Sequence, residues 1–186
     1  MDIKNLRWWG WGTLDCDYPL EGRSRFWPAL RAWLQLPDEL PEQPPVALEE
    51  IPLRPSRMDD PVLTSLRQLV GDDAVCTDRR CRIEHACGKA YRDLVRVRSG
   101  TIPNPPDVVV YPAGIGQVAA VLAWAADRDI AVIPFGGGSS VLGGVEPAPG
   151  NRLVITLDMA HMDLSLIHIS EPTRLLSISY AVFCLK

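Results

Sequence analysis

Between residues 105 and 158 the apolar positions switch between two periods. Asp107-Val108-Val109-Val110-Tyr111 is a β-branched run near prolines and predicts a strand. Over 114–128, Ile115, Val118, Val121, Leu122 and Ala125 fall on one face of a 3.6-residue period and predict a helix. The runs 130–135 and 152–158 are again short and apolar and predict two more strands. This β-α-β unit with a further strand makes the chain an α/β (α+β) protein.

Upstream the pattern is less regular. Phe26, Leu30, Trp33 and Leu34 predict a helix over 24–36, with Pro28 near its start, where proline costs least. Residues 37–55 hold six prolines and predict an extended linker or surface arm rather than a core element. Asp60 as N-cap, Pro61 behind it and Gly71 at the far end bracket a helix whose stripe is Leu63, Leu66, Leu69 and Val70. Residues 76–90 carry Arg79, Arg80, Arg82, His85 and Lys89 and read as a solvated loop. The alternation in Asp93-Leu94-Val95-Arg96-Val97-Arg98 predicts a short strand. Arg7-Trp8-Trp9-Gly10-Trp11-Gly12 reads as an aromatic segment packed onto a larger body, with an interfacial anchor as the competing reading.

The chemistry concentrates after the third predicted element. Pro134, Phe135, Gly136, Gly137, Gly138, Ser139, Ser140 and Val141 follow the run Ile130-Ala131-Val132-Ile133. Successive glycine amides can fold into a concave nest that binds anions, and serine hydroxyls add donors. A phosphate or pyrophosphate suits such a loop best. It is not a Walker loop, because no lysine lies in it, and it is not a dinucleotide fingerprint, because Val141 stands where the last glycine belongs. A glycine-rich turn without a ligand is the alternative.

Composition removes other classes. The 186 residues are 47% hydrophobic and 23% charged, enough for a core, and the net charge of −4 gives no footprint for nucleic acid. No run reaches the ~18 apolar residues of a membrane span, and the N-terminus lacks the apolar stretch of a secretory signal. The five cysteines are odd in number, and the C-x4-C-x5-C spacing of Cys76, Cys81 and Cys87 fits no standard zinc pattern. Free thiols in a reducing, cytoplasmic compartment are expected, with no metal.

Taken together, Pro106-Asp107, Pro112, the helix, Ile133-Pro134-Phe135-Gly136-Gly137-Gly138-Ser139-Ser140-Val141 and Ile155-Thr156-Leu157-Asp158-Met159 resemble the first half of the PCMH-type FAD-binding domain of the vanillyl-alcohol-oxidase family. With Trp9-Gly10-Trp11-Gly12 and the polar segment 85–98, the resemblance covers about residues 7–163 and leans to the alkyldihydroxyacetonephosphate synthase branch. It implies that residues 1–100 form a helical, Pro-rich N-terminal segment and 101–163 the first part of the flavin domain. It implies FAD, held non-covalently, with the amides from Pro134 to Ser140, and Val141 beside them, around its pyrophosphate. Pro112 and the Ile133-Pro134 pair would line the adenine side. The implied activity is exchange of the acyl chain for an alkyl chain on dihydroxyacetone phosphate, without net redox change. Catalytic positions of the family fall beyond Met162 and have no counterpart. A 2-hydroxy-acid dehydrogenase or oxidase with the same flavin fold is the alternative, and an inactive, non-binding fragment the third reading. The implied partner is a small-molecule or lipid substrate, and weak membrane association would follow from the latter.

After Asp163 the character changes. Leu164-Ser165-Leu166-Ile167-His168-Ile169-Ser170-Glu171-Pro172-Thr173-Arg174 resembles an in-frame translation of a transposon-type sequencing adapter, and the run 178–185 resembles its flow-cell end. The expectation is that 164–186 is a non-native tail.

Overall fold

The computed structural model describes residues 5, 7–16, 22–37, 39, 43–150 and 152–162. The run 164–186, with His168 and Cys184, lies outside the described residues.

Four strands form one sheet in the order β1-β2-β4-β3: β1 (Val75–Cys76), β2 (Val108–Val110), β3 (Ala131–Phe135) and β4 (Val154–Asp158). β1 runs antiparallel to β2, while β2 and β3 both run parallel to β4, with Val109 opposite Thr156 and Ile133 also opposite Thr156. The crossover between β2 and β3 is α5 (Ile115–Ala126), and β4 then slots between them. Pro134 costs no ladder bond. The Ala131 amide donates to Leu153 on the β4 side, so by parity Pro134 faces the open edge, where a missing N–H is harmless.

Strand parity separates the two faces. Val108, Val110, Ile155 and Leu157 share one face and join Leu63, Leu66 and Val70 of α2 (Asp60–Val70) with Val121, Trp124 and Ala125 of α5 in the main core. This core draws on residues from both sides of position 100. Val109, Tyr111, Thr156, Asp158 and Phe135 belong to the other face, which α3 (Arg79–Glu84) covers.

Several sequence expectations need correction. Residues 93–98 are not a strand but the body of α4 (Tyr91–Arg98). Asp-Leu-Val-Arg-Val-Arg alternates, yet Asp93, Leu94 and Val97 also fall at helical spacing, and these three are the buried residues. The stretch 76–90 is not a solvated loop. Arg82 and His85 are each only 4% exposed, and the Arg82 guanidinium donates to the Pro106 and Arg54 carbonyls at 2.7 and 2.9 Å. Those partners are distant in sequence, so the charges looked solvent-bound. The proline-rich arm is extended but not merely surface: Ile51 is fully buried in a second core cluster with Ile83, Ala86 and Ile102. The N-cap of α2 is Asp59, one residue before the expected Asp60, and its carboxylate accepts from the Val62 amide. The first helix, α1 (Phe26–Leu34), buries none of its stripe, with Trp33 80% exposed. On α5, Ile115 and Leu122 are exposed while Trp124, off the expected stripe, is buried.

One buried carboxylate ties the arm to the sheet. Asp107, fully buried at the start of β2, accepts from Arg57 Nε and Nη2 at 3.1 and 2.9 Å and from Arg54 Nη1 at 3.3 Å. It also accepts from the Arg57 and Val154 amides. Burial alone would raise its pKa, but the Arg57 bond, the two amides and the Arg54 charge together hold it below the usual carboxylate range. This hub sits at the amino ends of β2 and β4, away from the glycine loop.

Candidate functional site

The parallel strands β2, β4 and β3 end together, and their carboxyl ends carry Tyr111, Asp158 and the glycine loop. Ligands of open α/β sheets gather at that end. Of the three loop glycines, only Gly138 is demanded by conformation: its φ is +64°, and a Cβ there would meet Phe135 Cζ at 2.6 Å. At Gly136 and Gly137 a Cβ would find no heavy atom within 4 Å. The backbone there borders open space. Among the described residues, no protein acceptor takes the amides of Gly136, Gly137, Gly138 or Ser139. Free amides beside open space are what an anion nest requires.

A cavity of about 80 Å³ lies against this loop, lined by Arg7, Trp8, Glu84, His85, Lys89, Phe135, Gly136, Gly137, Gly138 and Asp158. Of the eight residues expected at the site, Phe135, Gly136, Gly137 and Gly138 line the cavity. Pro134 lies exposed on the sheet edge, Ser139 is exposed, and Val141 is 65% exposed. Ser140 closes the loop on itself: its Oγ accepts from the Gly144 amide at 3.1 Å and its carbonyl from the Lys89 amide at 2.9 Å.

The sequence reading missed His85 and Asp158. His85 Nε2 is 2.9 Å from Asp158 Oδ2, and its Nδ1 is 2.7 Å from the Cys81 carbonyl. A contact on each ring nitrogen holds the ring in orientation. Its centroid lies 4.3 Å from that of Phe135, which places a buried pair directly behind the loop. Asp158 Oδ1 accepts from the Ala160 amide. The available signal was parity: Asp158 ends β4 on the face of Thr156, opposite Phe135. Nothing local marked His85, which meets Asp158 across a separation of 73 residues.

Among the described residues, no group of three or more histidines, cysteines or acids is placed to hold a metal ion. The cysteines near the site are shielded instead. Burial pushes the Cys81 thiol well up despite its 3.3 Å contact with Tyr111 Oη, and burial with Asp93 and Glu146 nearby pushes Cys87 up to about 11. Cys87 is therefore expected to react slowly with iodoacetamide at pH 8 and progressively faster toward pH 11. Fast, pH-independent labelling at pH 8, followed by mass spectrometry of the Cys87 peptide, would contradict this.

A mixed α/β sheet whose three parallel strands end beside an exposed glycine loop is an architecture that places ligands at the carboxyl ends of those strands. The sequence profile described as FAD binding domain matches residues 106–179, a range that runs past Asp163. The chain is 39% identical over 125 residues to alkyldihydroxyacetonephosphate synthase of Trypanosoma brucei brucei, covering 66% of this chain and 20% of that protein. It is 30% identical over 183 residues to the Dictyostelium discoideum protein of the same name, covering 86% and 30%. Protein Rv2250A of Mycobacterium tuberculosis is 31% identical over 112 residues, with 60% of this chain matching 72% of it. A solved structure of alkyldihydroxyacetonephosphate synthase superposes with a TM-score of 0.75 at 28% identity, covering 88% of this chain and 33% of that one. The chain belongs to the PCMH-type FAD-binding flavoprotein family, and alkyldihydroxyacetonephosphate synthases are among its relatives. It spans about a fifth to a third of the length of those synthases.

Proposed function

We propose that the loop from Pro134 to Val141 holds the pyrophosphate of FAD, in an enzyme that exchanges the acyl for an alkyl chain on dihydroxyacetone phosphate. The observation that carries the cofactor assignment is the backbone at Gly136 and Gly137, which borders open space and whose amides find no acceptor among the described residues. The residues fit the group: backbone amides meet the anion, and Arg7, whose guanidinium also donates to the Cys16 carbonyl at 3.0 Å, stands in the cavity lining. When bound, the flavin supplies the reactive ring system, while this chain supplies binding and orientation. The acyl–alkyl exchange rests on the synthase relatives, which match up to 86% of the chain. A 2-hydroxy-acid dehydrogenase is the second reading, favoured by a probable D-lactate dehydrogenase of Danio rerio, 32% identical over 89 residues, but that match takes in only 48% of the chain. Among the described residues no helix is long and apolar enough to cross a membrane, so a lipid substrate would be met at a membrane surface by weak association. The four described cysteines, Cys16, Cys76, Cys81 and Cys87, are all free, which supports a reducing compartment such as the cytoplasm.

The test is an FAD titration of the whole chain beside Gly137→Asp. A side chain at Gly137 meets nothing within 4 Å and its φ lies outside the left-handed region, so the variant is expected to fold as the parent does. Its carboxylate would stand in the nest and is expected to weaken FAD by more than tenfold, on the order of 1.4 kcal/mol or more. Equal affinities would overturn the loop assignment.

A further inference from the structure

The cavity has a wall that comes from far outside the matched domain. Residues 7–12 form a closed turn, with the Arg7 amide donating to the Gly12 carbonyl at 3.0 Å. One residue fastens this turn to the glycine loop. The Lys89 ammonium donates to the carbonyls of Arg7, Trp8 and Gly10 at 3.2, 3.4 and 3.2 Å. The Lys89 carbonyl accepts from the Trp11 indole at 3.1 Å, and the Lys89 amide donates to the Ser140 carbonyl at 2.9 Å. Two sides of Lys89 therefore hold the turn and the third holds the loop.

Valence decides what Lys89 does. An ammonium has three N–H donors, and three carbonyls take them. Lys89 is thus a positioning residue and not a phosphate ligand, although a lysine beside a glycine nest would ordinarily suggest one. The groups it positions are Arg7 and Trp8, which line the same cavity as Gly136, Gly137 and Gly138. Trp8 also packs against the Ile51, Ile83, Ala86 and Ile102 cluster, which fixes its place.

We infer that the tryptophan turn 7–12 is part of the flavin site, clamped to the glycine loop by Lys89 so that Arg7 and Trp8 form the wall facing the pyrophosphate. This rests on the assignment of FAD to the loop. It turns Trp8 from part of an aromatic packing segment into a binding residue.

Hydrogen exchange of the whole chain, with and without saturating FAD, tests it without any substitution. The expected result is slower exchange, by several-fold, in both 7–12 and 136–141. Protection of 136–141 with none in 7–12 overturns the inference and leaves the cofactor assignment standing. Protection in neither overturns both. Lys89→Met provides the second measurement. Loss of the ammonium should release the turn, so FAD is expected to protect 136–141 but no longer 7–12, with affinity about tenfold weaker. Wild-type affinity and undiminished protection of 7–12 in that variant would also overturn the inference. Should Lys89→Met fail to fold, as circular dichroism would reveal, the wild-type footprint alone decides.

Discussion

Asp107→Ala is expected to destabilise the chain by about 3–5 kcal/mol, the range for breaking a buried ion pair from one side. Against total stabilities of about 5–15 kcal/mol, this is enough to leave a substantial unfolded fraction. The direct partners decide only part of it. Arg54 and Arg57 are each 31% exposed at the side chain and can recover water once the carboxylate is gone. The rest cannot. The Val154 amide loses a buried acceptor, and Arg82, 4% exposed, loses the nearest compensation for its charge. Asp107→Asn keeps the shape and one acceptor oxygen, so it should cost less than the alanine. The two variants also separate charge from packing through pH. The folded pKa of Asp107 lies below that of an ordinary carboxylate. Its contribution is therefore complete above about pH 4 and lost as pH falls through the folded pKa. The stability gap between wild type and Asp107→Asn, read by urea denaturation, should be constant near neutrality and shrink in acid. A gap that widened as pH fell would show that the carboxylate is not held in its charged form.

The position of that hub explains why it bears on stability and not on the cofactor. It grips the amino ends of β2 and β4, while the glycine loop, Tyr111 and Asp158 lie at the carboxyl ends. A parallel sheet thus separates the two roles by the length of a strand. Loss of FAD affinity in an Asp107 variant should follow its loss of folded protein, and should not exceed it.

The elements that periodicity made legible are the apolar runs and stripes. β2 and β4 were visible as apolar runs that are buried throughout, whereas β3 and α5 showed the right period although β3 is only half-buried and Ile115 and Leu122 of the α5 stripe are exposed. The elements that escaped were short or held by polar contacts. β1 has two residues, too few for any pattern. α3 is buried through Arg82 and His85, whose partners are carbonyl and carboxylate oxygens remote in sequence. α4 reads equally well at period two and period three, and the burial of Asp93 against Arg96 decided for the helix. The site divides in the same way. The glycine loop is a local backbone feature and stands out in one dimension. Arg7, Trp8 and Asp158 lie in stretches that stand out in the sequence, but only tertiary contacts bring them, with His85 and Lys89, to the loop.

Gly88→Ala should be the most damaging single-methyl change near the site, although Gly88 belongs to no motif. A Cβ at Gly88 would run into the carbonyl oxygen of Ser140, a backbone atom that cannot swing aside as a side chain can. Either the glycine loop moves or the chain at 88–89 does, and both break the bond from the Lys89 amide to Ser140. Overpacking costs about 1–3 kcal/mol and the lost bond about 0.5–1.5 kcal/mol. For a domain of this size each kcal/mol lowers Tm by about 2–4 °C, so a fall of roughly 3–18 °C is expected. Gly137→Ala is the matched control: the same methyl, added where no atom lies within 4 Å, should shift Tm by little or raise it slightly. The contrast separates two reasons for keeping glycine. At Gly137 the space is open, whereas at Gly88 it is already filled by the loop. FAD affinity should therefore fall in Gly88→Ala through displacement of Ser140, without any change to a residue that lines the cavity. A Gly88→Ala protein with wild-type Tm would mean that Ser140 and Gly88 are not in contact, and the docking of the tryptophan turn through Lys89 would lose its anchor on the loop.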